Sequence, residues 1–156
     1  LQNKKYMRML IVGLEKVGKT QLLYRLKQNE MVETIPTIGF NCENIKFKNV
    51  QTTTWDLGGH EVFRQLWHHY FLHTNAVIYV IDASDKNQDT IQTNCEEIFN
   101  LATHQDLLNV PIVILANKCD LENSMNIIEI FTIYHLDQLV NRPIKLFVGS
   151  VLTSQG

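Results

Sequence analysis

Four apolar runs recur along the chain: Met7–Val12 (MRMLIV), Ala76–Ile81 (AVIYVI), Val110–Ala116 (VPIVILA) and Ile144–Val148 (IKLFV). They are continuous rather than alternating, the pattern of strands buried on both faces of a parallel sheet. Between them apolar residues return at helical spacing. Ile91, Cys95, Ile98, Phe99 and Ala102 predict one helix stripe, and Phe63, Leu66, Trp67, Tyr70 and Phe71 predict another. Gln21–Lys27 and the shorter, apolar-rich Asn126–Leu136 are further helix candidates. Strands alternating with helices predict a three-layer α/β fold with right-handed crossovers.

One pair of segments breaks this rhythm. Asn41–Phe47 and Val50–Trp55 read as strands joined at Lys48-Asn49. Two residues are too few for a parallel crossover, so the pair is expected to form an antiparallel hairpin. The second of these strands contains QTTT, polar and weakly patterned. The expected sheet is therefore mostly parallel and six-stranded, with one antiparallel hairpin strand. At 156 residues the chain fits a single domain, 1–156. It begins at Leu1 rather than Met and stops eight residues after Val148 without a closing helix, so both termini are expected to be incomplete.

Composition narrows the function. Hydrophobic content is 45% and charged content 19%, which suits a folded globular chain. Net charge is −2, so no basic balance points to nucleic acid. Cys42, Cys95 and Cys119 are too scattered for a disulfide framework or a CxxC metal site, and read as thiols of a cytosolic protein. No apolar run reaches membrane-spanning length.

The chemistry begins after the first strand. GLEKVGKT, Gly13 to Thr20, matches Gly, four residues, Gly, Lys, then Ser or Thr. Between a buried strand and a helix, such a loop turns backbone N–H groups inward around phosphates. Its candidate nucleotide residues are Gly13, Leu14, Glu15, Lys16, Val17, Gly18, Lys19, Thr20 and Gln21. Lys19 is expected to reach the β and γ phosphates, and the Thr20 hydroxyl to ligate Mg²⁺. Asp56-Leu57-Gly58-Gly59 follows a strand and supplies the second element. Asp56 is assigned to the metal, through an intervening water, and the Gly59 N–H to the γ-phosphate. Asn117-Lys118-Cys119-Asp120 follows the third buried strand, at the edge where α/β sheets bind ligands. The Asp120 carboxylate can accept from guanine N1–H and N2–H₂, a pair adenine does not offer, and Asn117 and Lys118 complete that base site.

These three motifs, in this order, resemble those of the small GTPases. TIPTIGFN (Thr34–Asn41), WDLGGH (Trp55–His60) and LWHHYF (Leu66–Phe71) narrow the likeness to the ADP-ribosylation factor family, with Sar-type features at WDLGGH and SVL. The resemblance runs from about Lys5 to the chain end. It implies the P-loop GTPase fold, GTP and GDP as ligands with Mg²⁺, and slow hydrolysis of GTP. It implies that residues around Glu30–Phe40 form switch I, with Thr37 closing onto Mg²⁺ and the γ-phosphate, and that Gly58–Phe71 form switch II. Phe40, Trp55 and Tyr70 match an aromatic patch that members present to partners. Ser150 and Val151 sit where the last guanine loop lies, and the Val151 N–H is expected to meet the base oxygen. The implied partners are an exchange factor, an activating protein, and effector or coat proteins. The implied setting is a cytoplasmic monomer, reversibly bound to Golgi or other endomembranes through the N-terminus, in vesicle and protein transport.

Three positions depart from the family pattern. His60 stands where most members have Gln, the residue that orients the attacking water, and is the candidate catalytic residue; Sar-type members share the His. Lys16 replaces a small residue, and Gln21 a Thr. No switch I arginine is evident to act in cis, so unaided hydrolysis is expected to be slow. A nucleotide-binding module without hydrolysis and an ATP-using kinase are the competing readings. His68, His69 and His73 invite a metal reading, but without a third ligand at suitable spacing they are read as a helix face.

Overall fold

The computed structural model describes residues 5–28, 39–47, 50–139, 141–153 and 155–156. Strand β1 (Lys5–Val12) starts exposed and ends buried, with Leu10, Ile11 and Val12 fully covered. Helix α1 (Lys19–Gln28) follows, then β2 (Phe40–Phe47) and β3 (Val50–Leu57). A short helix α2 (Glu61–Arg64) and a 3₁₀ turn (Trp67–Tyr70) lead to β4 (Ala76–Asp82). Helix α3 (Gln88–Thr103), β5 (Ile112–Asn117), α4 (Ile127–Ile133) and β6 (Ile144–Val148) complete the order.

The sheet has six strands in the order β2-β3-β1-β4-β5-β6. β2 pairs antiparallel with β3, and the other neighbours are parallel, as the apolar pattern predicts. Lys48-Asn49, the expected hairpin turn, lies outside the described residues. On one sheet face Leu22 and Leu23 of α1 pack on Ile11, Ile45 and Val80. On the other, Ile98 and Leu101 of α3 and Ile130 of α4 pack on Leu10, Val12, Tyr79, Ile81 and Ile114. Helices on both faces explain the unbroken apolar runs: every residue of a central strand meets a covered side. Each such Leu or Ile contributes about 1.5–3 kcal/mol by leaving water.

Several local expectations shift. The polar QTTT run alternates after all. Thr52 and Thr54 point inward, buried, their hydroxyls 3.1 Å apart, and Thr52 also bonds the Ile45 carbonyl. The stripe expected over Phe63–Phe71 is broken: α2 ends at Arg64, and only Trp67 and Phe71 of that set are buried. Phe99 lies outside the core and is 58% exposed; the buried face of α3 is Ile91, Asn94, Ile98, Leu101 and Ala102. Asn94 is tolerated there because the Tyr79 hydroxyl donates to its Oδ1 at 2.7 Å. α4 starts with a capping box between Asn126 and Glu129 and stops at Ile133, before His135 turns left-handed at φ 53°.

Parallel register has one consequence for the site. It places Ile11 beside Asp56 and Asp82 beside Asn117, so the carboxyl ends of β1, β3, β4 and β5 share one edge. Ligands of open α/β sheets bind at such an edge.

Candidate functional site

The loop after β1 is shaped by two glycines. At Gly13 (φ +146°) a Cβ would lie 2.3 Å from the Val80 carbonyl oxygen, so only glycine lets the chain leave β1 this close to β4. At Gly18 (φ +99°) a Cβ would lie 2.4 Å from Asn117 Nδ2. Lys16 also takes a left-handed backbone, φ 60°, and its side chain is exposed. Lys19 opens α1 and is 6% exposed, its Nζ donating to the Leu14 carbonyl at 2.5 Å.

Burial pulls the Lys19 ammonium down from 10.5 to about 8, against Asp56 and Glu15, whose charges push it up. A phosphate brought to this amine would restore the charged form. Nucleotide binding at pH 9 is therefore expected to take up close to one proton, and at pH 7 close to none. Calorimetry in buffers of different ionisation enthalpy measures this; no uptake at pH 9 would remove Lys19 from the phosphate site. The same shift has a sign for folding. Between about pH 8 and 10.5 the unfolded chain holds the proton and the folded chain does not, so stability without nucleotide rises with pH there.

Thr20 Oγ1 donates to Asp56 Oδ2 at 2.6 Å, and Asn41 Nδ2 reaches the same oxygen at 3.2 Å. Asp56 is fully buried. A hydroxyl and a carboxylate meeting at a helix N-terminus are oxygen donors of the kind a hard cation such as Mg²⁺ takes. Thr37, the other expected metal ligand, lies outside the described residues.

Gly58 is held from two sides: its N–H donates to the Gly39 carbonyl at 2.8 Å, and its carbonyl accepts from Trp67 Nε1 at 2.9 Å. Gly59 lies against the loop, where a Cβ would fall 2.4 Å from Leu14 C and 2.5 Å from the Gly13 oxygen. His60 caps α2, its Nδ1 accepting from the Val62 N–H at 3.3 Å, and its ring is exposed. His73 has φ 65°, so it leaves the helical path and does not share a helix face with His69. Among the described residues no group of three His, Cys, Asp or Glu side chains is arranged to hold a metal.

The base-site motif divides its labour. Asn117 is buried and acts as a strut: its Nδ2 donates to the Val17 carbonyl at 2.8 Å, and its Oδ1 accepts from the Val151 N–H at 2.9 Å. The Val151 N–H, expected to meet the base oxygen, is thus already engaged by Asn117. Arg25 of α1 holds the same loop through the Val151 and Leu152 carbonyls, and Ser150 is buried beneath it. Lys118 Nζ bridges the Lys16 carbonyl at 2.6 Å and Asp82 Oδ2 at 2.8 Å. Burial pushes the Asp82 carboxyl up, but bonds from Lys118 and Ser84 outweigh it and hold it below the usual carboxylate range. Asp120 is exposed at the end of the motif, open to a ligand.

Phe40, Trp55 and Tyr70 do come together, with ring centroids 5.1 to 6.1 Å apart. Arg8 stacks on Trp55 at 5.4 Å and donates to the Tyr70 carbonyl. Phe40 remains 50% exposed.

A model of the ADP-ribosylation factor family matches residues 1–156. The chain belongs to the ADP-ribosylation factor family. It is 42% identical to ADP-ribosylation factors K and J of Dictyostelium discoideum over 156 residues, 99% of this chain and 81% of each relative. Its fold is similar to the Arl6 BBS3 small GTPase from Trypanosoma brucei with bound nucleotide analogue GppNp. That match has a TM-score of 0.88 and 28% identity, over 97% of this chain and 91% of that one. As a family member it is a small GTPase that binds GTP and GDP with Mg²⁺ and hydrolyses GTP to GDP. Members of the ADP-ribosylation factor family interact with exchange factors, activating proteins and effectors, and are generally cytosolic and reversibly membrane-associated. No helix among the described residues is long and apolar enough to cross a membrane.

Proposed function

We propose that residues 1–156 form one G domain that switches between GDP and GTP states, hydrolyses GTP slowly unaided, and acts in vesicle traffic. The observation that carries the reading is convergence. Lys19, the Thr20–Asp56 pair and Gly59 meet beside the Asn117–Asp120 loop at one sheet edge. In this reading Lys19 and the N–H groups of residues 13–20 hold the phosphates, and Thr20 and Asp56, with Thr37, hold Mg²⁺. When bound, that ion neutralises charge developing on the phosphates. Gly59 donates to the γ-phosphate, and Asp120 reads guanine.

Slow hydrolysis is supported by the arginines. All four are engaged elsewhere: Arg8 with Tyr70 and Trp55, Arg25 with the Val151 loop, Arg64 with Glu97, and Arg142 with the Leu108 and Val110 carbonyls. A partner must then supply the cation that stabilises the transition state. His60 adds a second brake. With Nδ1 accepting from Val62, the neutral ring carries its proton on Nε2 and can only donate there. The ring must leave the cap before Nδ1 can accept from the attacking water.

In single-turnover assays with an activating partner, His60→Ala is expected to slow hydrolysis about 100-fold, with GTP affinity unchanged. His60→Gln, whose amide both donates and accepts, should stay within about tenfold of the unsubstituted rate. Equal rates for all three would leave a nucleotide-binding role for the loop without catalysis by His60. The traffic reading is tested by liposome flotation of the full-length protein loaded with GDP or GppNp; equal binding in both states would remove it.

A further inference from the structure

Trp67 does more than fill the core. It is 3% exposed, and its ring meets Tyr79 edge-on at 6.4 Å while Tyr79 is itself tied to Asn94. A buried indole N–H needs an acceptor, and here that acceptor is the Gly58 carbonyl at 2.9 Å. The Gly58 carbonyl and the Gly59 N–H belong to one peptide plane. In a trans peptide the two point in opposite directions, so fixing one fixes the other. Gly58 and Gly59 have no side chains to hold this plane, and glycine rotates more freely than any other residue.

We propose that Trp67 is a positioning residue for the phosphate site: by anchoring the Gly58 carbonyl in the core, it aims the Gly59 N–H outward, on the side where Gly59 abuts residues 13–15. The inference rests on the reading of Gly59 as the γ-phosphate donor. Its consequence is selective. GDP has no γ-phosphate, so the indole bond contributes to affinity for the triphosphate alone. Trp67 thus sets the preference for one nucleotide state over the other, through a hydrogen bond rather than through contact with the ligand.

The test compares GDP and GppNp affinity for the unsubstituted chain, Trp67→Phe and Gly59→Ala, with Mg²⁺ present. Trp67→Phe keeps an aromatic ring and removes the donor. It is expected to weaken GppNp about tenfold and to leave GDP within about twofold. A purely structural role for Trp67 would weaken both equally, and that result overturns the inference. If Gly59→Ala lowers the GppNp-to-GDP ratio while Trp67→Phe does not, the Gly59 reading survives and the Trp67 inference falls. If Gly59→Ala leaves the ratio unchanged, both fall. Should Trp67→Phe fail to fold, the unsubstituted chain loaded with GppNp still decides. Its Trp67 indole N–H should resist hydrogen exchange more than tenfold over a free indole, and exchange at the free rate overturns the inference.

Discussion

Asp120→Asn is expected to bind xanthosine triphosphate in preference to GTP, with GTP affinity falling about a thousandfold or more. The reason is the pairing of donors with acceptors. A carboxylate accepts from both N1–H and N2–H₂ of guanine. The amide keeps one acceptor and sets its NH₂ against the exocyclic NH₂, donor against donor. Xanthine carries an oxygen at that carbon, which the amide can serve. The proposal of Asp120 as the reader within its motif is supported by how its neighbours are engaged. Asn117 is spent on Val17 and Val151, and Lys118 on Lys16 and Asp82, which leaves the exposed Asp120 side chain facing solvent at the loop end. The loop itself is held by the Cys119 N–H on the Gly149 carbonyl at 3.1 Å, so the substitution should change recognition without unfolding the site. Competition with a fluorescent nucleotide measures both affinities. An Asp120→Asn chain that still prefers GTP would place base recognition on other residues, and would reopen the reading of an ATP-using enzyme.

What could be read in advance follows from the range of the interactions involved. The loop from Gly13 to Thr20 is contiguous, so its spacing announces it, although its glycines are demanded by distant neighbours, the Val80 carbonyl at Gly13 and the Asn117 side chain at Gly18. Buried parallel strands announce themselves too, because both faces are covered. The misreadings concern which side chains and backbone groups meet, which apolar spacing does not show. Nothing near Val151 reveals that its N–H meets a side chain 34 positions earlier. The inward threonines Thr52 and Thr54 look like surface because their hydroxyls are polar; they are buried because they satisfy each other and the Ile45 carbonyl. Phe99 fits a helical stripe by period, yet the partner face of α3 is centred on Asn94 and Ile98, one step around the helix. The segment after His60 has helical spacing but serves two other demands, capping by the His60 ring and the reach of Trp67 back to Gly58. Thr37 lies outside the described residues, so its expected closure onto Mg²⁺ stands on the family resemblance.

Gly18→Ala is expected to reduce affinity for GDP and GTP alike by about 100-fold or more, measured by dissociation of a fluorescent nucleotide. Two effects combine. The residue has φ +99°, a conformation that costs a side-chain-bearing residue about 1–3 kcal/mol. Its new Cβ would also sit 2.4 Å from Asn117 Nδ2, well inside any real contact, so Asn117 must move. Asn117 cannot move alone. It holds the Val17 carbonyl of the phosphate loop with one end and the Val151 N–H of the base loop with the other. Displacing it leaves a buried carbonyl and a buried N–H without partners, each costing about 1–3 kcal/mol. Phosphate and base recognition should therefore fail together. The coupling is checked by a double-mutant cycle. Asn117→Ala removes the same strut and opens the space that the Gly18→Ala methyl needs, so the double variant should lose much less than the sum of the two single losses. Full additivity would mean that Gly18 acts through its own backbone alone, and that the contact with Asn117 carries no share of the effect.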